Sequence, residues 1–239
     1  MIEQWLLVVS AALVASSLAA IAGTGGGIIL LPVLVAVFGV REAVPMYAVA
    51  QFIGNLSRVG FNWALVEFRV VLWFCLGAVP AAALGAWLFT RIPDGQLLRI
   101  LGAFLVASVI WRHWGNRPPA SFSVKRFAPI GAVFAVVSGV VGSAGPFLAP
   151  FFLTFGLVKG AFIGTEAFGT AVMHVVKLAT YQGFDAITAS AWLYGLMIGP
   201  VMIIGSLIGK RIVDRLSPRV FTRVVELAIL GFGLWFLLQ

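Results

Sequence analysis

Apolar residues run along this chain in long blocks, separated by short clusters of charged residues, glycine and proline. The blocks fall at about 5–22, 28–38, 45–64, 70–89, 97–114, 128–141, 147–156, 161–181, 189–209 and 220–238. No ionisable acid or base lies between Glu3 and Arg41, Arg69 and Arg91, Arg126 and Lys159, or Asp185 and Lys210. A hydrocarbon core of ~30 Å is crossed by roughly 20 apolar residues as a helix. These gaps therefore fit single spans or pairs of spans, and the pattern predicts an all-α polytopic integral membrane protein with eight to ten transmembrane segments. One long polar connection, RHWGNRPPASFSVKR, interrupts the pattern at the chain's midpoint. It divides a first membrane repeat (1–111) from a linker (112–127) and a second repeat (128–239).

The second half replays the first at an offset of 117 to 120 residues. GTGGGIILLP (23–32) is echoed by GSAGPFLAP (142–150), and Pro80, Gly85, Arg91 and Arg99 recur as Pro200, Gly205, Arg211 and Arg219. With five segments per half, the halves are inverted. Alternation then places Arg69, Arg112, Arg117, Lys125, Arg126, Lys159, Lys210, Arg211, Arg215, Arg219 and Arg223 on one side, against Arg41, Arg91 and Arg99 on the other. If 5–38 and 128–156 are each one broken span, the halves are parallel and the bias shrinks. The excess of Lys and Arg in cytoplasmic loops favours the inverted arrangement. Linker 112–127 and loop 210–223 are then cytoplasmic and both termini external. Re-entrant hairpins at the glycine-rich turns would keep the same parity.

Composition agrees: 62% of the 239 residues are hydrophobic and only 10% charged, where soluble chains carry about 25%. The net charge of +8 would suggest nucleic acid in a soluble protein. Here the basic residues flank apolar runs, where topology and lipid headgroups account for them, so the expected partners are a bilayer and not nucleic acid. The single cysteine, Cys75, excludes an intramolecular disulfide or a thiolate metal cluster. The start MIEQWLLVV lacks the basic region of a signal peptide and reads as a retained first helix. There is no GxxxxGK[ST] motif, hence no sign of nucleotide coupling, and no cofactor is expected.

Two cations lie well inside apolar runs, Arg58 and Lys177. A charge at mid-membrane costs at least ~3 kcal/mol on insertion scales, which makes each a functional candidate. Gln51, Asn55, Arg58 and Asn62 are spaced 4, 3, 4, and so are Thr170, His174, Lys177 and Tyr181, 119 residues later. Such intervals stack side chains on one helix face. Interhelical hydrogen bonding would explain Asn62 or Thr170, but it explains two deep cations poorly. His174 suits substrate hydrogen bonding or proton carriage. Glu166, one turn before Thr170, is either the counter-ion of Lys177 or a coupling proton site.

Glycine-rich turns form a second constellation. Gly23, Thr24, Gly25, Gly26 and Gly27 let the backbone approach a ligand closely. The helix that follows can aim its N-terminal N–H groups inward, toward an anion. Gly142, Ser143, Ala144 and Gly145 offer the symmetric partner. Interrupted segments at matching places of two halves point to a transporter's binding site. Close helix packing through small residues is the simpler alternative. Together the stripes and turns describe a mid-membrane pocket for a small anion such as a carboxylate, sulfonate, sulfite or phosphate.

At this level of detail the chain resembles the sulfite exporter TauE/SafE family of bacterial membrane transporters over nearly its whole length. The resemblance is carried by GTGGGIILLPVL, by IGTEAFGTAVMHVVKLATYQGFD (163–185), and by LGA (84–86) and IGS (204–206) before the Arg-bearing loops. It departs at Tyr47–Gln51, where a Gly-Thr-Ser-like step is common, and at the second turn, where Ala144 and Pro146 replace glycines. The resemblance implies about eight spans, a multi-pass position in the bacterial inner membrane, and transport of sulfite or organosulfonates by alternating access. It implies no enzymatic activity. Two rival functions remain: an intramembrane serine enzyme using Ser143 and His174, or a scaffold subunit. A homodimer is compatible with the sequence, which marks no dimer face.

Overall fold

A computed structural model describes residues 2–22, 26–114, 123–212, 230 and 233–238. Among the described residues nine helices follow in order: α1 (Ile2–Ala22), α2 (Gly26–Phe38), α3 (Val40–Asn62), α4 (Phe68–Arg91), α5 (Asp94–Trp114), α6 (Phe127–Val141), α7 (Ala149–Thr154), α8 (Lys159–Gly183) and α9 (Ala189–Ile212). Short 3-10 turns occupy Trp63–Leu65, Val124–Arg126 and Gly145–Phe147, and the described residues contain no strand. Residues 233–237 form a further helical turn, which packs Gly233 and Leu237 against Gly102 of α5. Most of the tenth segment, linker residues 115–122 and most of loop 210–223 fall outside the described residues, so the topology expected for them does too.

Among the described residues, four stretches are long and apolar enough to cross a membrane: Glu3–Ala20, Phe68–Arg91, Val124–Val141 and Ala189–Gly209. Their exposed faces carry Leu6, Leu72, Leu76, Val133, Leu193 and Leu196, as contact with lipid requires. That is fewer than the eight to ten expected, and the reason differs by helix. α3 and α8 have 23 and 25 residues, ample length, but their polar stripes remove the apolarity. α2 and α7 have 13 and 6 residues. At 1.5 Å per residue they reach about 20 and 9 Å, short of a ~30 Å core.

Both short helices belong to hairpins. Trp5, at the start of α1, packs on Phe38, at the end of α2, with ring centroids 5.8 Å apart. Phe127, at the start of α6, packs on Phe155, just beyond α7, at 5.4 Å. Each pair therefore doubles back instead of continuing as one broken span. Gly39 adopts φ 79° between α2 and α3, a left-handed conformation that glycine takes without Cβ strain.

The remaining helices pack in crossed pairs. α1 runs parallel to α9: Trp5 meets Tyr194 at 5.0 Å, and Ser17 Oγ donates to the Gly205 carbonyl at 2.9 Å. α6 runs parallel to α4, with Ala128 against Gly77 and Val136 against Gly85. α3 and α8 are antiparallel, since Asn62 lies against Gly164 while Asn55 Nδ2 donates to Thr170 Oγ1 at 3.0 Å. α3 also packs on α9, and α8 on α4. α3 and α8 start 119 residues apart (Val40 and Lys159), and α4 and α9 start 121 apart (Phe68 and Ala189).

The α4–α6 crossing depends on glycine. A Cβ on Gly85 would stand 2.9 Å from Val136 Cα and 3.0 Å from the Ala135 carbonyl oxygen. Gly85→Val is expected to force the two backbones apart and cost about 1–3 kcal/mol. Thermal unfolding in detergent measures the loss, and Gly60→Val, where no atom lies within 4 Å, is the control.

Candidate functional site

The two hairpin tips and the two polar stripes meet. Gly26, Gly27, Tyr47, Gln51, Asn55 and Arg58 enclose a cavity of about 30 Å³ together with Ser138, Gly142, Ser143, Ala144, Gly145, Glu166, Thr170 and His174. Ala19, Phe134 and Met173 complete the wall. One water takes roughly 10–15 Å³ on this measure, so the space suits two waters or one compact anion.

α3 presents its stripe because intervals of 4, 3, 4 return to one face. Asn55, Arg58, Glu166, Thr170 and His174 are all 5% exposed or less. A chain of hydrogen bonds fixes them. Arg58 Nη2 donates to Asn55 Oδ1, Asn55 Nδ2 to Thr170 Oγ1, and Thr170 Oγ1 to the Glu166 carbonyl at 2.9 Å. Asn55 thus accepts from the guanidinium with one end of its amide and is anchored to Thr170 by the other. Gln51 Nε2 donates to Tyr47 Oη at 2.6 Å. Gln51 Oε1, Glu166 Oε2 and His174 Nδ1 are buried without a hydrogen-bond partner among the described residues. Orphaned buried polar atoms are uncommon, and three around one cavity make it the candidate site.

The hairpin tips touch at Gly27. Tyr47 Oη and Ser143 Oγ occupy the space a Cβ there would need, and Ser143 Cβ would lie 2.7 Å away. α2 begins at Gly26, so its unpaired first N–H groups and positive dipole end border the cavity. The α6 end is the opposite. Its last carbonyls close on the same cavity, with Gly142 at φ 88°, and a helix C-terminus repels anions.

Lys177 resolves that conflict. Its ammonium, fully buried, donates to the Ser138 carbonyl at 2.8 Å and the Gly142 carbonyl at 2.9 Å, with Ser138 Oγ at 3.4 Å. Tyr181 Oη donates to the Gly139 carbonyl at 3.0 Å. Neither residue is part of the cavity wall. They sit one and two turns beyond His174 and neutralise the carbonyl end of α6. Glu166, in turn, faces the Arg58 charge and not Lys177.

Gly23, Thr24 and Gly25 lie outside the described residues. Among the other residues singled out from the pattern, all but Asn62, Lys177 and Tyr181 line the cavity. Tyr47 and Ser138 were missed. Tyr47 had a usable signal, because it stands four residues before Gln51 and extends the stripe. Ser138 had none, being a lone serine in an apolar run. As for a nucleophilic pair, Ser143 hydrogen-bonds Tyr47, and His174 Nδ1 bonds no group. No group of three or more His, Cys, Asp or Glu among the described residues is arranged to hold a metal ion.

A sequence model of the family described as "Sulfite exporter TauE/SafE" matches residues 8–236. No curated protein and no solved structure matches the chain.

Proposed function

Because the chain belongs to the sulfite exporter TauE/SafE family of membrane transporters, we propose that it is a secondary transporter, acting as an exporter, for small sulfur-containing anions, with sulfite as the best-fitting cargo. Alternating access takes place around the cavity between the hairpin tips. The observation that carries this reading is that cavity itself: about 30 Å³, and bordered by Arg58, the N-terminus of α2 and three polar atoms without a partner among the described residues. Its size favours a compact oxyanion over a longer organosulfonate such as sulfoacetate, which would need the hairpins to part.

The two halves act as an inverted repeat. The antiparallel α3–α8 pair, the paired hairpins and the crossed α1–α9 and α4–α6 packing support that arrangement. An inverted pair lets one half rock against the other around a fixed site. The side bearing the start of α4, the start of α8 and linker 112–127 is cytoplasmic in the inner membrane, because Arg69, Lys125, Arg126 and Lys159 gather there.

Uptake of labelled sulfite into proteoliposomes tests the proposal, with sulfoacetate, taurine, sulfate and acetate as competitors. Arg58→Gln is expected to reduce saturable flux roughly 10- to 150-fold, the worth of a charged hydrogen bond of about 1.5–3 kcal/mol. Flux unchanged in that variant, or inhibited best by acetate, would overturn the assignment.

A further inference from the structure

We propose that Glu166 is the proton carrier of this transporter: it takes up one proton as the anion enters the cavity and gives it back when the anion leaves. The inference rests on the transport reading above and adds to it the coupling ion.

The geometry supplies the reasons. Glu166 lines the same small cavity as Arg58, is 5% exposed, and its Oε2 has no hydrogen-bond partner among the described residues. An ionised carboxylate only accepts hydrogen bonds, whereas a protonated one also donates. Protonation therefore turns Oε2 from a repelling group into a donor aimed at an oxyanion. The charge balance points the same way. With Glu166 ionised, its charge cancels that of Arg58 and the lining offers an anion no net attraction. With Glu166 neutral, one positive charge is left for the cargo. Two like charges about 4 Å apart at an effective dielectric near 20 weaken binding roughly a thousand-fold, which makes binding of the anion and of the proton mutually dependent.

The other groups that face Glu166 do not serve as well. From α3 come Arg58, which Asn55 holds, and Tyr47, which receives the Gln51 amide. The hairpin tips contribute Gly27 and Ser143, and α6 contributes Ser138 and Phe134, none of which titrates near neutral pH. Glu67, before α4, reaches this region only through its backbone N–H, which donates to Thr165 Oγ1 at 2.9 Å, and its side chain is exposed. On α8, Lys177 is committed to the α6 carbonyls. His174 also lines the cavity with Nδ1 unpartnered, so it is the competing carrier.

The test is carried out on the full chain in proteoliposomes, with labelled sulfite outside and a trapped pH dye inside. Sulfite takes up protons itself, so the readout is the difference between variants at one pH. Glu166→Gln is expected to move one proton fewer per sulfite than wild type. Its apparent affinity should also lack the roughly tenfold loss per pH unit that linkage to a single proton adds. His174→Gln should keep both the wild-type ratio and that extra slope. Should the glutamine variant not fold, Glu166→Asp is the second measure, with a displaced pH midpoint expected and an unmoved one overturning the proposal. An unchanged proton ratio in Glu166→Gln, its loss in His174→Gln instead, or replacement of protons by sodium would overturn the coupling alone. Absence of saturable sulfite flux in wild type would remove the transport reading and this one with it.

Discussion

Gly27→Val is expected to leave a membrane-inserted protein whose sulfite flux is strongly reduced. The hairpin tip of α2 meets Ser143 and Tyr47 so closely that even a Cβ would stand 2.7 Å from Ser143 Cβ. A valine adds two further methyl groups to a place with no room for the first. The tip must withdraw, and with it the N–H groups at the start of α2 that border the cavity. Overpacking of this kind costs about 1–3 kcal/mol, which is roughly 5- to 150-fold in any step that needs the unshifted geometry. Proteoliposome flux measures the loss, and Gly95→Val, with open space around it, should transport normally. Ser143→Gly in the Gly27→Ala background should recover part of the thermal stability, because it clears one of the two colliding side chains. If Gly27→Val carries sulfite at the wild-type rate, the tips do not meet as described.

Lys177→Met is expected to act mainly on stability, which separates it from Arg58→Gln. Its ammonium is completely buried and satisfies the Ser138 and Gly142 carbonyls. Methionine fills similar space but withdraws the donor from both carbonyls, leaving that of Gly142 only the longer bond from Ser138 Oγ at 3.3 Å, and each bond lost costs about 1–3 kcal/mol. Thermal unfolding in detergent should therefore show a large drop, with flux lost as the α6–α7 hairpin loosens. Arg58→Gln should unfold much closer to wild type while still losing flux. A Lys177→Met protein of full stability but without sulfite binding would place that ammonium on the substrate and would contradict its role as a helix brace.

The difference between those two cations shows where reading the chain succeeds and where it stops. Both were visible as isolated charges at matching positions, 119 residues apart, on helices whose stripes face inward. Spacing assigns a side chain to a face, but it does not say which neighbour the side chain will find there. Lys177 finds the spent end of a helix, whereas Arg58 finds a cavity. The same limit hid Ser138, whose role depends on where α6 stops and on the lysine that reaches it from α8.

Local pattern was sufficient for the rest. Hydropathy located the nine helices of the described residues within a few residues, except that α3 starts at Val40 and not at Pro45. It also located the glycine turn at Gly142–Gly145 and the residues that would need company in a membrane. These follow from interactions along a single helix, where period and burial are properties of the sequence itself. Doubling back at the turns, the crossing of α1 onto α9 and of α6 onto α4, and the meeting of Gly27 with Ser143 are contacts between residues far apart in the chain. They depend on which surfaces fit, and only the assembled helices could decide that.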